Sequence, residues 1–155
     1  MADYYTQFSG SIDDLTAEEI AWVRKELTPP LEREEYNPGA EAFLQQWLKD
    51  HNLNDPAEHE YWPRFDWSLD GDGLWIYSDE DGCIDHVGIF VRRFLSLWRP
   101  AAVFSLTWAD TCSKLRTGAF SGGWLVVSKD EIVYGNAYCE AEQAAQALKT
   151  GDFKL

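Results

Sequence analysis

Two short acidic clusters carry the most obvious chemistry in this 155-residue chain. Asp70-Gly71-Asp72-Gly73 and Asp79-Glu80-Asp81-Gly82 each set carboxylates beside glycine, as calcium loops do. A full EF-hand loop needs oxygen ligands at positions 1, 3, 5, 7, 9 and 12, with glycine at 6. Counting from Asp70 puts glycine at position 2, and counting from Asp79 puts it at position 4, so neither cluster fits. Hairpin turns with solvated carboxylates are the ordinary reading. A third stretch, Thr107 to Arg116, mixes hydroxyls, a carboxylate, a thiol and two cations ahead of Gly122-Gly123. As a ligand or enzyme site it would use Trp108, Asp110 as base, Cys112 as nucleophile, and Lys114 with Arg116 as an anion clamp. The competing reading is a loop in which Asp110 accepts local hydrogen bonds and the cations pair with surface acids. No G-x-S-x-G, P-loop or G-x-G-x-x-G pattern accompanies it.

Histidines and cysteines add little. His51, His59 and His86 form no HxxxH or HExxH pair, and Cys83, Cys112 and Cys139 lie 29 and 27 residues apart. Neither spacing suits a structural zinc site, so no metal or cofactor is expected. A Cys-His nucleophile such as Cys112 with His86 could assemble only through the fold. An odd cysteine count and an N-terminus without basic or strongly apolar regions point to a reduced, cytoplasmic protein. The longest strongly apolar segment, Val87 to Trp98, is interrupted by Arg92 and Arg93 and is too short to span a bilayer.

Charge is the strongest signal. The chain holds 27 acids against 13 Lys and Arg, a formal net charge of −14. That argues against direct nucleic-acid binding, which needs cations to neutralise phosphates, and against docking to anionic membranes. The distribution is uneven. Residues 1–86 carry −16, with ten acids and only Arg64 between residues 55 and 86, whereas residues 87–155 carry +2. Aromatics make up 15% of the chain, including 8 Trp, which is incompatible with a generic acidic disordered tail. Trp62 in a polar loop and Trp75, out of phase with Leu74 and Ile76, are the tryptophans expected at the surface.

The elements that must position these residues follow from hydrophobic period and punctuation. Asp3–Ile12 reads as a strand. Thr16-Ala17-Glu18-Glu19 reads as a capping box opening a helix to about Leu27. A second helix is expected near Ala40–His51, on the stripe of Phe43, Leu44, Trp47 and Leu48. Phe65–Leu69 and Leu74–Ser78 form a hairpin about the first acidic turn, with Trp67 opposite Ile76. A helix from about Asp85 to Trp98 uses Val87, Phe90, Val91, Phe94 and Trp98 as its core face. Val103–Trp108 is a strand, Asp110–Gly122 a long loop, and Gly123–Ser128 with Ile132–Tyr134 a further hairpin. Glu140–Lys149 is a terminal helix with Gly151 as C-cap. These elements describe one α+β domain over residues 1–155: an antiparallel-dominated sheet with helices mainly on one face. Part of the order is β-α-β-β-α-β, so ferredoxin-like topology with an added C-terminal hairpin and helix is expected.

Phe8–Trp22, FSGSIDDLTAEEIAW, and Trp108–Val127, WADTCSKLRTGAFSGGWLVV, resemble a group of small bacterial proteins of plasmids and phages. The resembling motifs are tied to no particular activity, so they carry over no catalytic residue; they imply a mobile-element context. Two functions compete. One is a non-catalytic protein that binds a basic protein surface through Asp66, Asp70, Asp72, Trp75, Asp79, Glu80, Asp81 and Asp85. In its sharpest form it mimics nucleic acid and inhibits a host defence protein. The other is a small enzyme or ligand-binding domain built on Trp108, Asp110, Cys112, Lys114 and Arg116.

Overall fold

In the computed structural model, residues 1–28, 49 and 62–152 are described. The helix expected near Ala40–His51 lies almost entirely outside them. Among the described residues nine elements are delimited: β1 (Tyr4–Ile12), α1 (Ala17–Leu27), β2 (Asp66–Asp70), β3 (Gly73–Ser78), α2 (Ile84–Trp98), β4 (Phe104–Cys112), β5 (Ser121–Val127), β6 (Ile132–Asn136) and α3 (Ala137–Thr150). The six strands form one sheet in the order β2-β3-β1-β4-β5-β6, and every neighbouring pair is antiparallel. The fold class is α+β.

Alternation along the strands gives the sheet two unlike faces. Phe8 and Ile12 on β1, Leu74 and Ile76 on β3, Phe104 and Leu106 on β4, and Leu125 and Val127 on β5 are all buried. Against them pack Val23 and Leu27 of α1 and the stripe Val87, Phe90, Val91 and Phe94 of α2. That stripe recurs at i, i+3, i+4 and i+7, the period that aims one helix face at a core. The opposite face mixes polar and aromatic residues, with Trp124 of β5 and Val133 of β6 exposed on it. It carries Gln7, Ser9 and Ser11 from β1, Ser105 and Thr107 from β4, and Trp75 and Tyr77 from β3.

Local signals in the sequence set the element ends. The Thr16 hydroxyl accepts from the Glu19 N–H while the Glu19 carboxylate accepts from the Thr16 N–H, closing the capping box. The β2–β3 turn uses Gly71 at φ +61°, a conformation that side chains resist. Trp67 sits opposite Ile76. Gly151 ends α3 in the left-handed conformation.

Three expectations need correction. β4 does not stop at Trp108 but runs to Cys112, because its second half pairs with Tyr4–Phe8 of β1. The expected loop is therefore only residues 113–120. α3 starts three residues early, at Ala137, because the Asn136 side chain accepts from the Tyr138 and Cys139 N–H groups. Trp62 is not at the surface: it is 5% exposed, its ring lies 5.0 Å from that of His86, and its indole N–H donates to the Glu26 carbonyl. Among the described residues, no helix is long and apolar enough to cross a membrane.

Candidate protein-binding site

The β2–β3 hairpin and the chain leaving it build the most distinctive surface. Pro63, Arg64, Phe65 and Asp66 on one side and Ser78, Asp79, Glu80 and Asp81 on the other line a cavity of about 590 Å³. Its two walls are tied from behind. The Arg64 N–H donates to His86 Nδ1 at 3.0 Å, and the Cys83 N–H donates to the Arg64 carbonyl at 2.7 Å. His86 is 2% exposed, so residues 62–65 are anchored onto the start of α2. The other wall is pinned to β1, where the Thr6 N–H donates to the Glu80 carbonyl and the Gln7 amide to the Asp79 carbonyl.

Four carboxylates line this cavity with one cation. One terminal nitrogen of Arg64, Nη2, donates to both oxygens of Asp81 at 2.6 and 2.7 Å, a charge-assisted contact. The pairing holds the Arg64 guanidinium even more firmly protonated than usual. Asp66, Asp79 and Glu80 are exposed beside it. The nearby Cys83 thiol is pushed up by burial, which removes it as a ready nucleophile.

Asp66 also belongs to the open sheet face. Its cross-strand partner is Tyr77, and the next pair on that face is Ser68 with Trp75. Trp75 and Tyr77 stack with centroids 3.8 Å apart and planes 21° apart, and the Trp75 indole donates to Ser9 Oγ at 2.8 Å. Trp75 is nevertheless 46% exposed. A fixed aromatic pair thus continues directly into the acidic cavity through Asp66.

The remaining expected residues are elsewhere. Asp70 and Asp72 are exposed at the opposite end of the hairpin, where the Asp72 carbonyl accepts from the Leu15 N–H. The six residues of β3 put seven steps between Asp72 and Asp79, about 23 Å at the usual rise per residue. The two acidic turns are therefore not one patch. Asp85, in the first turn of α2, is engaged by the Tyr134 hydroxyl of β6; burial and that bond push the phenol well above its ordinary range.

The 108–116 stretch is a strand end rather than a loop. Both Asp110 oxygens are occupied, one by the Thr6 hydroxyl at 3.0 Å and one by the Trp108 indole at 3.2 Å. Cys112 is half-buried opposite Tyr4, and Lys114 and Arg116 are exposed in the following loop. None of these residues lines the acidic cavity. His86, whose pairing with Cys112 was one candidate, accepts from the Arg64 N–H through Nδ1. Among the described residues, no group of three or more His, Cys, Asp or Glu is placed to hold a metal ion.

Arg64 was not among the residues singled out from the sequence, yet it organises the cavity. The available signal was that it is the sole cation between residues 55 and 86. No family model, no curated protein and no solved structure matches this chain, so the ferredoxin-like topology and the mobile-element resemblance remain expectations.

Proposed function

We propose that this is a non-catalytic protein that binds a basic protein surface through the cavity of residues 63–66 and 78–81 and the Trp75–Tyr77 pair beside it. The observation that carries the reading is the continuity of the two through Asp66. Exposed aromatics held in one rotamer lose little entropy on binding and make strong anchors, and surrounding carboxylates select a cationic partner. Asp81 already binds a guanidinium from its own chain, which supports a cationic partner.

Nucleic-acid mimicry is the finer version of this proposal. It would require the acids at both ends of the hairpin to lie along one groove of the target. The enzyme reading has less support, because Asp110 is fully engaged and the cations of the 108–116 stretch stand apart from the acidic cavity.

The test is capture from bacterial lysate by the wild type and by a variant carrying Asp66→Asn, Asp79→Asn and Glu80→Gln. A basic protein should be retained by the wild type at about 50 mM salt and released near about 500 mM, where the Debye length has shrunk to a few ångströms. The variant should not retain it. Equal retention by both proteins, or recovery of no basic protein, would overturn the proposal. Adding duplex DNA as competitor separates mimicry from binding elsewhere on the partner.

A further inference from the structure

We infer that the edge of β2 that no described strand pairs with takes up a β-strand from the basic partner, and that this strand alternates in a way β2 dictates. The inference rests on the function proposed above and specifies how the partner is held.

β2 is an edge strand; it is hydrogen-bonded to β3 on one side, and among the described residues no strand lies on the other. In an antiparallel pair, alternate residues turn their N–H and C=O groups away from the partner. An edge therefore offers ready-made backbone donors and acceptors to another chain. β2 is short, Asp66-Trp67-Ser68-Leu69-Asp70, and contains no proline or lysine to block such pairing.

Charge decides which chain can use the edge. Asp66, Ser68 and Asp70 lie on the open face, while Trp67 and Leu69 face the core and are only half-buried. A second copy of β2 paired antiparallel about Ser68 would set Asp66 opposite Asp70 twice. Like charges directly opposite each other are destabilising. The same two aspartates favour an incoming strand with Arg or Lys at both outer positions. Between them, two apolar residues would extend the surface of Trp67 and Leu69, and a small polar residue would face Ser68. The strand's pattern is thus basic, apolar, polar, apolar, basic. Its Asp66 end would lead toward the acidic cavity. At the other edge of the sheet, β6 has no charged residue and could not make this selection.

Synthetic peptides of three kinds test this by titration against the full-length protein at low salt. The first, Thr-Arg-Val-Thr-Val-Arg-Thr, has the inferred alternation. The second has the same composition with the arginines adjacent. The third keeps the first sequence but is N-methylated at alternate amides, in two versions covering both sets. The alternating peptide should bind at least about tenfold more tightly than the rearranged one, and one N-methylated version should lose binding. A protein with Asp66→Lys and Asp70→Lys should reject it and take the counterpart with Glu in place of Arg. Both substitutions are at exposed positions, so the swap also checks that the protein remains folded.

Equal binding of the alternating and rearranged peptides would overturn strand addition while leaving the acidic binding surface standing. So would tolerance of N-methylation in both versions. Absence of binding by every peptide, while the cavity acids still capture a basic protein, would likewise overturn strand addition alone. Loss of that capture would instead overturn the function proposed above. A dimer of the free protein that the alternating peptide dissociates would identify a second copy as the natural occupant and overturn the inference.

Discussion

At the residue scale, one buried carboxylate fixes the frame on which the site stands. Glu19 lies in the capping box of α1, and Arg99 just beyond α2 clamps both its oxygens at 3.0 and 3.1 Å. The same guanidinium donates to the Asp13 and Asp14 carbonyls and lies over the Phe94 ring. The bonds from Arg99, which outweigh the opposing desolvation and are helped by those from Thr16, hold the Glu19 carboxyl below its ordinary value. A depressed carboxylate contributes stability that is fully present above its unfolded value of 4.5 and is lost as pH falls through the lower folded value. Glu19→Gln should therefore cost about 2 kcal/mol in urea denaturation at pH 7. The gap from wild type should narrow progressively below about pH 4.5. The capping box was legible because its partners are three residues apart; Arg99 was not, because the contact spans 80 residues of sequence. A second residue-scale prediction concerns Trp75. Trp75→Ala should lower stability only modestly, by about 1–2 kcal/mol for the lost Tyr77 stacking and Ser9 bond, yet weaken binding of the captured basic protein by about tenfold or more. A large loss of stability with unchanged binding would assign Trp75 to packing instead.

At the element scale, what could be read in advance depended on whether an element's ends were written locally. The β2–β3 hairpin was legible from Gly71 and from the alternation on either side, and so was the Trp67–Ile76 register. The far end of β4 was not. Asp110 has weak strand preference, and residues 110–112 are extended because β1 offers them a partner. The consequence was functional: residues that looked like a catalytic loop are held flat in a sheet, with Asp110 consumed by Thr6 and Trp108. β6 depends on a similarly non-local fit. Gly135 lies directly opposite Trp124, and a Cβ there would come within 2.1 Å of the indole. That indole also donates to Glu140 in the first turn of α3. Gly135→Ala should force the ring away, break the Glu140 bond and destabilise the protein by about 1–3 kcal/mol. Thermal melting followed by tryptophan fluorescence checks this. Trp124→Ala in the same background should recover part of the loss, because it removes the clash.

At the scale of the whole molecule, net charge has two roles that the structure pulls apart. The sequence concentrates −16 in residues 1–86, but the fold splits its two densest turns between the ends of β3. Asp66, Asp79 and Glu80 belong to the cavity, whereas Asp70 and Asp72 stand at the far end of the hairpin. Charge acts on encounter over a Debye length or more, but it acts on the life of a complex only through direct contact. The two groups should therefore have different kinetic signatures with the captured basic protein. Neutralising Asp72, which lies in the turn outside the β2 edge, should slow association by a few fold and leave dissociation unchanged. Neutralising Asp79 with Glu80 should slow association similarly and also speed dissociation by about tenfold, because those carboxylates would touch the partner. Raising salt should reproduce the first effect in the wild type by screening both groups at long range. If the Asp72 variant instead dissociates as fast as the cavity variant, the contact surface must reach past the β2 edge into the turn, as nucleic-acid mimicry requires.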